Sequence, residues 1–276
     1  MARRSCMSVL AMLLLAAVSG AAEAARVQES FRPAKGSTQT VDHSAWDRLL
    51  RAYVKAGSDG LNRVDYASFK QEGHPALKAY LDSLQRVDPN TLDQAEQFAF
   101  FVNLYNAKTI DIVLDHYPVG SIKDISLGGG LLATLSGGPW KAKVVRVNGI
   151  DLSLDDIEHG ILRSNFEDPR VHYAVNCASV GCPNLATESY TGAKLEAQLD
   201  AGARGYVNSK RGMHFDGGAL IASSIYDWFQ EDFGGSEQGV LEHARKYAKP
   251  DLAAELNTVE AIGGYAYDWS LNDTRG

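Results

Sequence analysis

The sequence predicts an α+β fold, a helix-rich single domain around a small mixed or antiparallel sheet. Three observations carry that expectation. Apolar residues recur at helical spacing in more segments than they alternate, the alternating segments are short and scattered, and neither βαβ repetition nor an internal repeat runs through the chain.

From Ser44, Trp46, Leu49, Leu50 and Tyr53 mark one helical face, which Gly57 and Gly60 bring to an end. Leu77, Tyr80, Leu81 and Leu84 repeat the pattern after Pro75. A third helix opens behind Asp93, runs from about Ala95 to Tyr117 and stops at Pro118; its apolar residues lie on most sides, so it is expected to be buried. Residues 126–140, rich in Gly and Leu, read as a flexible loop over a cleft. Lys143 to Val147 alternates as a strand, Asn148-Gly149 turns, and Ser153 starts a helix to about Arg163, with Asp156 completing a capping box. Arg170 to Asn176 alternates again, placing Val171, Tyr173 and Val175 on one strand face and His172, Ala174 and Asn176 on the other. A helix from Thr191 to about Val207, a hairpin around Asp216-Gly217-Gly218, short helices near 224–232 and 237–257, and a last strand with Tyr265, Tyr267 and Trp269 complete the chain.

The N-terminus reads differently. Arg3 and Arg4 precede an apolar run from Val9 to Val18 and a small-residue segment ending Ala22-Glu23-Ala24, the layout of a signal peptide cut after Ala24. Residues 1–24 are therefore expected to direct export to the periplasm or medium, residues 25–41 to form a flexible leader, and residues 42–276 to form one domain. At 45% hydrophobic and 22% charged residues, with three cysteines, the composition is that of a globular protein and not of a disordered or disulfide-dense one. The net charge is −7, and loss of two arginines and one glutamate with the leader makes it one unit more negative. Such a balance argues against a nucleic-acid partner. No later run approaches the roughly 18 apolar residues of a membrane span, so none is expected in the mature chain. Composition selects neither a small molecule nor a peptide as substrate, and fixes no oligomeric state.

Cleavage also removes Cys6 and leaves Cys177 and Cys182, which an oxidising compartment invites to pair. Extended at about 3.3 Å per residue, the run between them would hold their Cα atoms roughly 16 Å apart, beyond bonding reach unless Gly181 supplies a turn. Cys177 is thus either a free nucleophile or half of a small bridge.

As a nucleophile it needs a base, and His172 and His159 are the two candidates. Strict alternation would put His172 and Cys177 on opposite strand faces, which favours His159. Asp155 and Asp156, four and three residues before His159, can face it on a helix or simply favour the helix N-terminus. Glu158 points about a quarter turn away and would act through another partner, such as His172 or a substrate group. On the buried helix Asn103 and Asn106 point the same way, as substrate or oxyanion contacts or as a structural network. His172, Cys177 and Cys182 match no zinc spacing. Phosphate-loop, dinucleotide, Gly-x-Ser-x-Gly and His-Glu-x-x-His motifs are missing from the sequence. Neither a cofactor nor a metal is expected.

Four separated motifs, Phe101-Val102-Asn103-Leu104-Tyr105-Asn106-Ala107, Leu154 to Arg163 with Glu158-His159, His172 to Pro183 with Cys177, and Tyr267-Asp268-Trp269-Ser270-Leu271-Asn272, occur in order. Together they resemble the family known as domain of unknown function 547, which includes exported bacterial proteins, over roughly Ser44 to the C-terminus. The resemblance implies a cysteine-peptidase-like Glu-His-Cys arrangement of Glu158, His159 or His172, and Cys177, with Cys177 preferred over Cys182 as nucleophile. It points to a thiol-dependent hydrolase or acyl-transfer enzyme; the alternative is a non-catalytic ligand-binding or accessory protein of the cell envelope.

Overall fold

A computed structural model describes residues 25–127 and 138–275. The expected signal peptide and most of the Gly-rich loop lie outside the described residues. The chain is α+β, with helices predominating over three small sheets of two or three strands.

Helix α1 (Ser44–Tyr53) buries Trp46, Leu49 and Leu50 and runs into a hairpin of β1 (Val54–Ala56) and β2 (Asn62–Val64). Helix α2 (His74–Leu84), with a proline in its first turn, buries Leu77, Tyr80, Leu81 and Leu84. Asp93 caps α3 (Gln94–His116) by accepting the Glu96 amide at 2.8 Å. As its all-round hydrophobicity predicts, α3 is buried along most of its length and forms the axis of the larger core. The hairpin of β3 (Val145–Val147) and β4 (Ile150–Leu152) leads into residues 154–166, which are helical with Asp156–Arg163 in the wider π register. Ser153 and Asp156 form the expected reciprocal cap: the Asp156 carboxylate accepts the Ser153 amide at 2.7 Å, and Ser153 Oγ accepts the Asp156 amide at 3.1 Å.

The strand expected over Arg170 to Asn176 is instead a single helical turn, α4 (Val171–Ala174), followed by extended residues. Alternation there does not reflect a two-sided strand, because Val171, His172, Tyr173 and Ala174 are all buried and no neighbouring strand among the described residues supplies a ladder. Helix α5 (Leu195–Val207) follows a 3₁₀ turn. Then β5 (Met213–Asp216), β6 (Ala219–Ser223) and β7 (Gly264–Ala266) make a mixed sheet, β6 pairing antiparallel to β5 and parallel to β7. Between β6 and β7 run α6 (Ser224–Trp228), a 3₁₀ turn at Gln230–Phe233, α7 (Glu237–Tyr247) and α8 (Pro250–Leu256). The closing strand is shorter than expected and ends before Tyr267 and Trp269.

Residues 25–41 also differ from the loose leader that their polarity suggests. Residues 25–30 are helical, and Val27 and Phe31 are buried in the larger core, Phe31 edge-on to Phe101 at 5.1 Å. Two apolar side chains in an otherwise polar stretch show no period, yet they anchor it together with the Ala34 amide, which donates to the Leu92 carbonyl at 2.7 Å, and the Val41 amide, which donates to Glu96 at 2.8 Å. Gly160 makes room for this packing, since a Cβ there would come within 3.3 Å of Val27.

A second, smaller core gathers Tyr173, Tyr206, Tyr226, Phe233, Val240 and Leu241 around the three-stranded sheet. A cleft opens where the two cores meet, with Tyr105 and Val175 of the larger and Ile225 of the smaller among its lining residues.

Candidate functional site

The cleft holds about 170 Å³, space for on the order of ten water-sized positions. Its lining includes Cys177, His172, His159 and Glu158, four side chains from two separated segments.

The cysteine loop is pinned from several directions. Asn106 spans it from α3, donating to the Ala174 carbonyl at 2.9 Å and accepting the Asn176 amide at 2.8 Å. Asn176 in turn donates to the Pro183 carbonyl at 2.6 Å and accepts the Ala178 amide at 2.9 Å. The C-terminal motif lies alongside: the Val180 amide donates to the Ser270 carbonyl at 2.8 Å, and the Gly181 amide to the Asp268 carbonyl at 2.7 Å. Gly181 is required by this close approach, because a Cβ would stand 2.8 Å from the Asp268 nitrogen and 2.9 Å from its oxygen. The last motif therefore belongs to the site although it lies about ninety residues further along the chain.

Cys177 and Cys182 are joined by a disulfide, with Cα atoms 6.3 Å apart, so the loop between them turns sharply instead of running extended. The Tyr267 hydroxyl stands 3.1 Å from each sulfur and 2.9 Å from Ser179 Oγ. Burial pushes the Tyr267 phenol far above its ordinary range, which keeps it a neutral hydrogen-bond donor.

Because 171–174 are helical, His172 and Cys177 do not lie on opposite faces of a strand. His172 is almost fully buried, stacks on Phe229 at 4.3 Å, and places Nε2 at 2.6 Å from Asp232 Oδ2. Arg163 grips the same Asp232 carboxylate through both Nε and Nη2. Burial opposes the charge on Asp232, but the hydrogen bonds from His172 and Arg163 outweigh it and hold the carboxyl well below the usual range. His159 is 40% exposed; its Nε2 is 4.0 Å from Asp155, and its Nδ1 lies 3.2 Å from Arg163. Of the two histidines, His172 is the one rigidly oriented by an acid.

The acids divide their tasks differently from expectation. Asp156 does not face His159: it caps its own helix and pairs with Lys143 at 2.8 Å. Glu158 is buried against the Tyr105 hydroxyl, which donates to it, so it does not orient either histidine. Asp155 lines the cleft, its carboxyl raised by burial and by the nearby Glu158 against the opposing pull of His159.

Asn103 and Asn106, the candidate substrate contacts, are outside the cleft lining, and both are committed to backbone groups. Asn103 donates to the Tyr190 carbonyl at 2.8 Å and accepts the Tyr190 amide at 3.0 Å. The structural network is the role the geometry gives them. Asp232 was not among the candidates at all. One of two adjacent acids in the aromatic run Trp228-Phe229-Gln230-Glu231-Asp232-Phe233 carries no spacing that ties it to a histidine 60 positions away. Elsewhere His74, Asp111 and Asp115 come within 4.8 Å of one another, but Lys78 and Lys108 already sit 3.0 and 2.8 Å from Asp111, which makes this an ion-pair network. No helix among the described residues is long and apolar enough to cross a membrane.

An α+β chain with a disulfide, an Asp-oriented histidine and an aromatic-walled cleft at the seam of two cores is the class that fold and site define. The family model described as protein of unknown function, DUF547, matches residues 89–207, and that part of the chain belongs to this family. The match contains Glu158, His159, His172 and both cysteines, while Trp228, Asp232, Tyr267 and Trp269 lie beyond it. No curated protein and no solved structure matches the chain.

Proposed function

We propose that this is an exported thiol-dependent hydrolase or acyl-transfer enzyme in which Cys177 is the nucleophile. The observation that carries the reading is the convergence of Cys177, Glu158, His159 and His172 on one cleft. Export is supported by the leader-like residues 1–24 and by a cysteine pair of the kind oxidising compartments favour.

The bridged pair is the resting form. An external dithiol releases it by exchange: the donor becomes a disulfide, and two electrons and two protons pass to Cys177 and Cys182. The Cys177 thiol then gives its proton to His172, held in place by Asp232, and the thiolate attacks a substrate carbonyl. Tyr267, a neutral O–H beside the sulfur, donates to the developing oxyanion. Collapse expels the leaving group with the proton from His172. Water or a second nucleophile then attacks the acyl-thioenzyme and frees Cys177. Glu158, buried against Tyr105, does not take part in the proton relay.

Incubating the reduced protein with p-nitrophenyl acetate tests this reading. Acetylation of Cys177 that turns over, and that is lost in Cys177→Ser and in the bridged protein, is expected. Acetylation no faster than that of free cysteine would leave the non-catalytic ligand-binding alternative.

A further inference from the structure

One wall of the cleft is built almost wholly of aromatic rings. Trp228 stacks on Trp269 at 5.6 Å and leans on Tyr267 at 4.9 Å; Tyr267 meets Trp269 at 4.7 Å, and Trp140 meets Trp269 edge-on at 5.8 Å. Trp228 is 46% exposed, the one large hydrophobic side chain left open among the described residues. Tyr267 reaches the cysteine sulfurs through its hydroxyl, whereas Trp140, Trp228 and Trp269 have no part in the proposed acyl transfer. The same cleft is lined by two carboxylates, Asp155 and Glu158, and by no lysine or arginine.

Aromatic faces carry negative charge in their quadrupoles, so a cleft that combines them with carboxyl groups attracts an organic cation and repels an anion. Trp269 already carries one such contact, the Lys123 ammonium 4.8 Å from its ring centre. We infer that the cleft binds substrates carrying a small organic ammonium group, primary or quaternary, seated against Trp228, Trp269 and Tyr267 and facing Asp155 and Glu158. This deepens the proposed function, because it rests on the cleft being the working site and names the class of substrate it takes.

The test is calorimetric titration of the bridged protein with choline and with its uncharged isostere 3,3-dimethylbutan-1-ol, and likewise with butylammonium and pentanol. At least one cation is expected to bind tenfold or more tightly than its isostere. Trp228→Ala should reduce that affinity severalfold with Trp228→Phe restoring part of it, and Asp155→Asn should shrink the preference for charge. Equal binding of cation and isostere in both pairs, or an unchanged preference in both Trp228→Ala and Asp155→Asn, would overturn the inference. Because the titration needs no free thiol, the two readings fail separately. Cation preference without Cys177 acylation leaves this inference standing, whereas acylation without cation preference leaves only the enzyme reading.

Discussion

His172 Nε2 lies 2.6 Å from Asp232 Oδ2, in a pair that joins the turn before the cysteine loop to the 3₁₀ turn after α6. The contact ties the larger core's edge to the smaller core, and Arg163 closes it from the π-helical segment. The orientation of the imidazole therefore depends on three segments far apart in sequence.

Asp232→Asn should be felt in both stability and chemistry. It removes charge-assisted hydrogen bonds worth on the order of 2 kcal/mol at neutral pH. Since the folded carboxyl is held below its unfolded value, this stabilisation is complete above about pH 4 and is lost as pH falls further. Denaturant titrations of wild type and variant should differ at pH 7 and converge at low pH.

His243 supplies a second pH dependence with a different window. Burial, helped by the nearby Lys246, lowers it to about 4, and the Tyr173 hydroxyl lies 3.0 Å from its Nε2. The neutral form is the one that fits the smaller core. Its contribution is present above the unfolded value of about 6.5 and is lost as pH falls toward 4, at up to about 1.4 kcal/mol per pH unit. His243→Phe should flatten the fall of Tm across that range, and an unchanged slope would show that the titration lies elsewhere.

Gly181→Ala forces a methyl into the Asp268 backbone, where no side chain can swing aside. A loss of about 1–3 kcal/mol is expected, which for a chain of this size lowers Tm by roughly 2–4 °C per kcal/mol. Tyr267 adjoins Asp268, so thiol reactivity should change with it.

Phe31→Ala tests whether residues 25–41 belong to the folded body. Phe31 is fully buried against Phe101, and deleting a ring from such a site costs about 3–5 kcal/mol. A loose leader would give no measurable change.

How far the sequence reached follows from the range of each interaction. Helices α1, α2 and α3, the Ser153–Asp156 cap and the hairpin before β6 depend on neighbours within a few residues, and their spacing announced them. Val171 to Ala174 misled because four consecutive buried residues erase the period that separates strand from helix. Cys177, His172, His159 and Glu158 were recognisable as chemistry-bearing residues, but their partners were not. The pairing of His172 with Asp232, of Glu158 with Tyr105, and of the cysteine loop with residues 268–272 is created by tertiary packing. Asn103 and Asn106 were visible as buried amides, and only the Tyr190 and Ala174 to Asn176 backbones reveal what they hold.

The most direct test of the central claim is the rate at which iodoacetamide alkylates Cys177 in the dithiol-reduced protein, followed from pH 5 to 9. The account predicts labelling at pH 7 faster than that of free cysteine, from a thiol lowered by its histidine, with the rate falling to that of free cysteine or below in His172→Ala. Labelling no faster than free cysteine, unchanged by that substitution, would contradict it.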